Sequence, residues 1–293
     1  MARAEYLEVE VRRVRADNPS PMTGGGTNTY FLGQDAVTVI DPGPDLDSHL
    51  AAILAALAPG ERITDILITH AHLDHSGLAP RLSALTGAPI WGFGTAHSGR
   101  SAVMADLAAA GLHGGEGADE RFEPDFLLQD GSILALNGQF LTALHTPGHM
   151  GCHLCFAHQD YLFSGDHVMD WSTTLVSPPD GDMAAYMASL RRLQSRPWRR
   201  FLPGHGDPVE RPAQRLAALV AHRQAREAAI LITLCDHGPA TPAALAARIY
   251  QGTPAALLPA ATRNVLAHLI DLTSRGCVYA ADAPLDQALY HLT

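Results

Sequence analysis

The tightest constraint on this chain is a run of metal-binding residue types from His70 to His75, which reads HAHLDH. The run follows the apolar segment 63–69, which has the length and composition of a buried strand. On a loop that leaves a buried strand, His70 and His72 can approach one metal ion. Asp74 and His75 can then turn toward a second ion about 3.5–4 Å away. The spacing therefore predicts two adjacent metal sites.

Three later residues supply ligands that two such ions would still lack. Two Pro-Gly-His triplets end at His149 and His205, so each histidine follows a tight turn. Asp166 follows a β-prone segment, and a carboxylate at a strand end can bridge two ions. Water bound between the ions would have a pKa of about 7. The sequence thus predicts hydroxide as the nucleophile, with Asp74 carrying the proton as the catalytic residue.

The composition excludes several other catalytic mechanisms and makes some binding partners unfavourable. All 20 basic residues are arginines, so neither a lysine Schiff base nor a Walker-type phosphate loop can form. The net charge of −10 disfavours duplex DNA and anionic membrane surfaces as partners. Four cysteines in 293 residues indicate no disulfide framework. Without a secretory leader or an apolar membrane span in the sequence, we expect a cytoplasmic protein. Its oligomeric state is not predicted.

Strand and helix patterns alternate through most of the chain and predict an α/β fold. Strand patterns lie at 6–14, 29–32, 37–40 and 63–69, and the others follow at 132–136, 139–145, 151–156, 161–164 and 200–202. Helical patterns lie at 46–57, 77–86 and 182–195. The composition then becomes rich in Ala and Leu. Three helices and a two-stranded ribbon follow, which indicates a winged helix. We therefore predict a catalytic domain over 1–212 and a winged-helix-like domain over 213–293.

In chain order, these motifs resemble those of the metallo-β-lactamase superfamily. Asp41 matches its early aspartate motif, residues 70–75 its HxHxDH signature, and His149, Asp166 and His205 its later positions. The resemblance covers roughly residues 20–212 and implies a four-layer αββα sandwich. It also implies one ion held by His70, His72 and His149, a second held by Asp74, His75 and His205, and a bridging Asp166. Asp41 would orient a ligand histidine.

Departures from the family pattern exclude some branches of the superfamily and favour others. True β-lactamases of this fold carry a cysteine where Asp166 stands, and the oxygen-reducing di-iron members carry a glutamate where His72 stands. The segment 18–30 and the C-terminal module resemble the branch of β-lactamase-like protein 2, whose animal members are single-strand endoribonucleases. Glyoxalase II is similar in its metal motifs but ends in a different helical domain.

The leading prediction is a hydrolase with two Zn²⁺ ions, iron or manganese being open alternatives, that cleaves an ester, thioester or amide bond of a small molecule. One alternative is a metal-dependent endoribonuclease that takes single-stranded RNA. Its backbone would be held by five arginines: Arg191, Arg192, Arg196, Arg199 and Arg200. A solvated helix end is the favoured interpretation of that group. A third hypothesis is a non-catalytic winged-helix binding module with a structural metal site.

Several further residues have ordinary structural explanations. His145, His153 and His167 are expected as core or supporting histidines, and Cys152 and Cys155 as buried small side chains. The loop 171–183 either lines the substrate cleft or simply connects two elements. Residues 213–293 carry six arginines against five acids, a net charge of +1, which is too weak for reading DNA. We therefore expect the winged helix to cap the cleft.

Overall fold

Two β-sheets face each other across a shared apolar layer, and helices cover the outer face of each sheet. The computed structural model describes residues 4–8, 10–114, 117–281 and 284–293. This arrangement confirms the αββα fold class that the sequence predicts. Among the described residues, no helix combines the length and the apolar character that a membrane span requires.

The first sheet has seven strands within the described ranges, and they lie side by side in chain order. They are β1 (Glu5–Glu8), β2 (Val11–Arg15), β3 (Asn28–Leu32), β4 (Ala36–Ile40), β5 (Arg62–Leu67), β6 (Ile90–Gly92) and β7 (Phe126–Leu127). Neighbouring strands from β1 to β4 pair antiparallel, and neighbouring strands from β4 to β7 pair parallel. The alternating segment at 6–14 forms the antiparallel pair β1 and β2 and not one strand.

The second sheet has five strands in the described part of the chain. In spatial order they are β12 (Arg200–Pro203), β11 (Tyr161–Gly165), β10 (Leu154–His158), β9 (Gln139–His145) and β8 (Ile133–Leu136). Only β11 and β12 run parallel among these described pairs. Because β4 and β5 are also parallel, the loops after these four strands emerge at strand carboxyl ends, where the predicted ligands lie.

Side-chain alternation assigns each strand residue to one of two layers. In β3, Tyr30 and Leu32 point into the layer between the sheets, while Phe31 packs toward the helices on the outside. In β11, Phe163 points between the sheets and Leu162 toward the outer helices. All five side chains are nearly fully buried, so both faces of each sheet are apolar and the strands carry no polar alternation.

The helices of the first domain are short, and two of those described begin with a side-chain cap. They are α1 (Asp47–Ala55), α2 (Leu73–Ser76), α3 (Ala79–Thr86), α4 (Ala102–Ala109) and α5 (Met183–Gln194). The carboxylate of Asp182 accepts a hydrogen bond from Ala185 N and begins α5. Gly87, at φ 75°, ends α3 in the left-handed conformation that glycine adopts without strain.

The C-terminal module consists of helices packed with a two-stranded ribbon. Its elements are α6 (Pro212–His237), α7 (Pro242–Ile249), a 3₁₀ turn (Ala255–Leu257), α8 (Leu258–Ser274), β13 (Val278–Ala280) and β14 (Tyr290–Leu292). The winged helix predicted from the sequence is confirmed, while the boundary at 212 stays a prediction. Ala267 of α8 joins the apolar cluster that covers the second sheet, so the module packs directly on the first domain.

Candidate metal centre

Seven side chains meet at the carboxyl-end edge of the two sheets, five of them from loops and two, Asp74 and His75, from α2. The run 70–75 follows β5, Asp166 directly follows β11, and His205 follows β12. His149 lies in the loop between β9 and β10. The structure therefore brings together all of the side chains that the sequence predicts as ligands: His70, His72, Asp74, His75, His149, Asp166 and His205.

The first group within this cluster contains three histidines. His70 Nε2 lies 2.9 Å from His72 Nδ1, and His149 Nε2 lies 3.1 Å from the same His72 nitrogen. Ligand nitrogens on one tetrahedral zinc lie about 3.3 Å apart, given Zn–N bonds of about 2.0–2.1 Å. The spacing thus fits three ligands of one ion.

The second group contains two histidines and a carboxylate. His75 Nε2 lies 3.3 Å from His205 Nε2 and 3.6 Å from Asp74 Oδ2. His205 Nε2 lies 3.2 Å from the same carboxylate oxygen. Thr27 Oγ1, which the sequence analysis did not single out, donates a hydrogen bond to Asp74 Oδ2 at 3.3 Å.

Asp166 lies between the two groups. Its Oδ2 is 3.7 Å from His149 Nε2 and 3.4 Å from His205 Nε2, and its Oδ1 is 3.4 Å from His75 Nε2. Oδ1 is buried and accepts no hydrogen bond from any described residue, which would be costly without a cation beside it. A Cβ at Gly204 would lie 2.5 Å from this oxygen, so only glycine fits there. The orphaned oxygen and the imidazole-rich donor set together fit a metal centre.

Charge separates the two groups of ligands. Burial, reinforced by His149, lowers the pKa of His72 to about 3, so this histidine is neutral. Burial also opposes protonation of His75 and His205, yet Asp166 and Asp74 outweigh it. The pKa of His205 rises to about 9 and that of His75 well above 6.5. A site that holds protons next to two carboxylates is one that favours cations, and a metal bound there would displace those protons.

Hydrogen bonds behind the cluster fix the orientation of the histidine rings. His75 Nδ1 donates to Asp41 Oδ2 at 2.9 Å, and Asp41 also accepts from Thr69 N and Thr69 Oγ1. His149 Nδ1 donates to the carbonyl oxygen of Leu175 at 2.7 Å. Because a carbonyl only accepts, the Nε2 lone pair of His149 faces the cluster. The sequence anticipated a supporting role for Asp41 but not the Leu175 carbonyl, since main-chain acceptors leave no sequence signal.

A cavity of about 430 Å³ opens directly onto the cluster. The loop after Asp166 forms one wall, and the C-terminal module forms another. The lining residues outside the metal cluster are Pro21, Met22, Thr23, Met169, Trp171, Ser172, Thr173, Thr174, Leu175, Arg226, Tyr250, Thr253, Leu257, Ala260, Ala261 and Asn264. The predicted loop 171–183 therefore lines the cavity over residues 171–175, and the C-terminal module covers part of it as expected.

Two arginines of the C-terminal module hold the ends of this loop. Arg215 of α6 donates to the carbonyl oxygens of Met169 and Ser172 at 2.7 and 2.6 Å. Arg263 of α8 donates to Ser177 Oγ at 2.8 Å. The loop conformation therefore depends on helices that come much later in the chain.

The middle of the loop is held by the buried Arg223 of α6 and the half-buried Asn264 of α8. Arg223 Nη2 donates to Thr174 O and its Nη1 to Asn264 Oδ1. Val176 N donates to the same Asn264 oxygen at 3.1 Å. These contacts fix the residues on both sides of Leu175, whose carbonyl orients His149. We call Arg223 and Asn264 the loop clamp.

The remaining sequence-predicted residues are not members of the ligand groups, although the ring of His153 lies 5.2 Å from that of His70. His153 and His167 are fully buried behind the cluster, and His145 stacks on Phe93. Cys152 and Cys155 are free and buried, in agreement with the sequence.

Within the arginine group at 191–200, Arg196, Arg199 and Arg200 lie at the opposite end of the second sheet from the cluster. Arg192 instead donates to the main-chain oxygen of His145 at the end of β9. None of the five is among the described residues that line the cavity. Arg200 pairs with Tyr161 at the start of β11, four residues and roughly 13 Å before Gly165. Arg192 donates to Asp130, and Arg200 forms an ion pair with Glu210. This group therefore does not face the cavity, and a solvated helix end describes it better than a phosphate-binding patch.

Comparisons with known proteins agree with this geometry. Residues 22–205 match the Metallo-beta-lactamase superfamily, and residues 241–284 match the Beta-lactamase associated winged helix domain. The chain is 31% identical over 269 residues to the "Atrochrysone carboxyl ACP thioesterase" of Aspergillus fumigatus, covering 86% of this chain and 76% of that protein. It is 30% identical over 283 residues to the "Beta-lactamase-like protein 2 homolog" of Caenorhabditis elegans, covering 94% and 88%. A crystal structure of a metallo-beta-lactamase family protein from Thermus thermophilus shares the fold, with a TM-score of 0.79, 24% identity and coverage of 98% and 100%.

Proposed function

Since this chain belongs to the metallo-β-lactamase superfamily and carries a β-lactamase-associated winged helix domain, we propose that it is a hydrolase of small-molecule thioesters with two metal ions, preferentially Zn²⁺. Esters and amides are the neighbouring substrate classes. The observation that carries the proposal is the convergence of seven metal-binding side chains on a cavity with largely apolar walls. The thioesterase named among the relatives supports the thioester as the first substrate to test.

The two ligand groups define what each residue would do. His70, His72 and His149 would hold one ion, and Asp74, His75 and His205 the other. Asp166 would bridge them. Two bound divalent ions supply an activated water near neutral pH and polarise the carbonyl under attack. Zinc is a common ion for such a set of imidazoles and carboxylates. Iron and manganese are the alternative ions whose binding should be compared with that of zinc.

Asp74 is the carboxylate of the cluster best placed to move a proton. Its side chain is 28% exposed and borders the cavity, whereas that of Asp166 is 11% exposed. Thr27 Oγ1 and His205 Nε2 both contact its Oδ2, so one oxygen is held while the carboxylate faces substrate. We assign Asp74 the role of taking a proton from the attacking water and passing it to the thiolate that leaves when the C–S bond breaks, which forms the product thiol.

Single-stranded RNA is the less favoured substrate. The arginines that would hold its backbone are not among the described residues that line the cavity, and many of them already contact protein groups. The cavity itself is lined by one arginine among the described residues. Nothing in the described lining provides the row of cations that tracks a nucleic-acid backbone.

The test measures metal content and turnover in the same preparations. S-lactoylglutathione, a neutral thioester of N-acetylcysteamine and a fluorogenic single-stranded RNA are offered to zinc-reconstituted protein. We expect thioester cleavage without RNA cleavage. Asp166→Ala and His149→Ala should each lose bound metal and turnover together, and Asp74→Ala should lose turnover.

The matched control is Asp170→Ala, which removes an exposed carboxylate four residues beyond Asp166. It should keep both metal and activity. Full activity in metal-free protein would contradict the proposal. RNA cleavage that disappears in Asp74→Ala would move the chain to the ribonuclease branch.

A further inference from the structure

The wall of the cavity built by the C-terminal module contains one permanent cation. Among the described lining residues, Arg226 of α6 alone carries a fixed positive charge. The only lining carboxylates in the described ranges are Asp74 and Asp166, and both belong to the metal cluster. No carboxylate of the described residues forms an ion pair with Arg226.

The contacts of Arg226 hold its guanidinium and leave its outer edge available. Nε donates to His222 Nε2 at 3.4 Å, and the guanidinium carbon lies 4.5 Å from the centroid of the Tyr250 ring. Burial and the nearby Arg223 lower the pKa of His222 to about 4, so the imidazole is a neutral acceptor. Neither terminal nitrogen of Arg226 bonds to any residue in the described ranges. Such a planar, stacked guanidinium matches a carboxylate or a phosphate.

Three other arginines of the C-terminal module, which contact the cleft loop but do not line the cavity, differ in this respect. Arg215 and Arg223 each donate to main-chain carbonyls of the cleft loop, and Arg263 donates to Ser177. Their charge serves to hold the loop. Arg226 lies on the same helix as two of them, yet its charge faces the cavity.

Apolar side chains lie on the cavity wall as well. Met22, Met169, Trp171 and Leu257 line it, and Trp171 lies against Gly24 and Gly206. A substrate in this cavity would therefore meet a reaction centre, an apolar surface and a cation. A volume of about 430 Å³ is within the range of ordinary small-molecule sites.

We propose that Arg226 binds an anionic group of the substrate, so that this hydrolase prefers thioesters that carry a carboxylate or a phosphate away from the scissile bond. The inference rests on the proposed hydrolase function and adds a charge requirement to it. Two positions in the substrate could supply the anion. One is a carboxylate on the acyl chain, and the other is a phosphate on the thiol carrier.

Three thioesters of equal acyl length separate these cases. S-hexanoyl-N-acetylcysteamine is neutral, S-adipoyl-N-acetylcysteamine carries an acyl-side carboxylate, and hexanoyl-coenzyme A carries thiol-side phosphates. We expect the wild type to favour at least one charged thioester over the neutral one. In Arg226→Gln, the ratio of kcat/KM for that charged thioester to kcat/KM for the neutral one should fall about 10- to 100-fold, the effect of a lost charged hydrogen bond.

Two further variants identify the cause. Arg226→Lys keeps the charge without the planar fork and should retain part of the preference. Arg248→Gln removes an exposed arginine of α7 that is not among the lining residues, and it should leave the ratio unchanged. If Arg226 only braced Tyr250, Arg226→Gln would lower the melting temperature while charged and neutral thioesters lost rate equally, which would overturn the inference.

Equilibrium binding distinguishes failure of this inference from failure of the proposed function. S-hexyl-coenzyme A and the S-(5-carboxypentyl) and S-hexyl thioethers of N-acetylcysteamine resist hydrolysis, and their affinities are measured by calorimetry. Stronger binding of a charged thioether, lost in Arg226→Gln, supports the anion site even if no thioester turns over. Equal affinity of charged and neutral thioethers in the wild type overturns it, while thioester turnover alone would leave the hydrolase proposal standing.

Discussion

At the scale of single residues, the cluster depends on groups that orient its rings from behind. Asp41 contacts no cavity, yet its carboxylate accepts hydrogen bonds from His75 Nδ1, Thr69 N and Thr69 Oγ1. It also has a positive φ of 50°, a conformation that aspartate tolerates better than most residues. An aspartate at this position therefore both tolerates the positive φ of the turn and orients the His75 ring.

Asp41→Asn is expected to weaken metal binding about 10- to 100-fold, as is typical when a partner of a ligand histidine is altered. The amide keeps the shape of the side chain but removes the charge that faces His75. Metal affinity, measured by competition with a chromophoric chelator, checks the expectation. Asp45→Asn, which alters an exposed carboxylate paired with Arg81, is the control. Wild-type affinity in Asp41→Asn would show that the Asp41 charge has no such role.

At the scale of elements, the C-terminal helices shape the first domain's active-site loop. The loop clamp of Arg223 and Asn264 holds Thr174 and Val176, and the carbonyl between them orients His149. Arg223 is 1% exposed and also lies over the Tyr186 ring of α5. The module thus supports the candidate ligand cluster through contacts with the main chain of the loop, in addition to covering part of the cavity.

Arg223→Met is expected to lower both stability and metal retention. It leaves the Thr174 carbonyl without its donor, a loss of about 1–3 kcal/mol in the free energy of unfolding. It also frees the segment that holds His149. Chemical denaturation and metal titration of the same samples test both effects.

Arg211→Met, at the exposed start of the same helix, should change neither quantity. If Arg223→Met lost stability but bound both metal equivalents as tightly as the wild type, the link from the clamp to His149 would be wrong.

At the scale of the whole molecule, several histidines are kept neutral by burial, and this makes stability depend on pH. Burial together with Arg223 lowers the pKa of His268 to about 3, and burial lowers the pKa of His49 to about 4. In the unfolded chain these groups would protonate near 6.5. Between that value and the folded pKa the unfolded state binds more protons, so stability falls as the pH falls.

The free energy of unfolding should therefore decrease as the pH drops from 6.5 toward 4, by up to about 1.4 kcal/mol per pH unit for each such histidine. His268→Leu should flatten this slope, because both of its ring nitrogens are buried without a partner among the described residues. Denaturation series at several pH values check it. The exposed His237, changed to Gln, should leave the slope as it is. An unchanged slope in His268→Leu would refute the assignment.

The sequence by itself determined the local features of this protein. The HAHLDH run, the Pro-Gly-His turns and the strand and helix patterns are properties of neighbouring residues, so spacing and periodicity identify them. These features predicted an α/β fold and a winged helix, and the family resemblance that they carried implied the αββα arrangement. The seven candidate ligands could also be named in advance. The convergence of His149, Asp166 and His205 on the HAHLDH run agrees with that expectation, because loops at parallel strand ends meet at one edge of a sheet.

Only the tertiary structure decided the surroundings of the cluster. The Leu175 carbonyl behind His149, the loop clamp and the cation of Arg226 come from helices and loops that are distant in sequence. The arginines at 191–200 cluster in sequence as a phosphate site would, yet none of them is among the described residues that line the cavity. Such placements depend on which faces pack together and on main-chain groups that every residue shares. No local pattern encodes them.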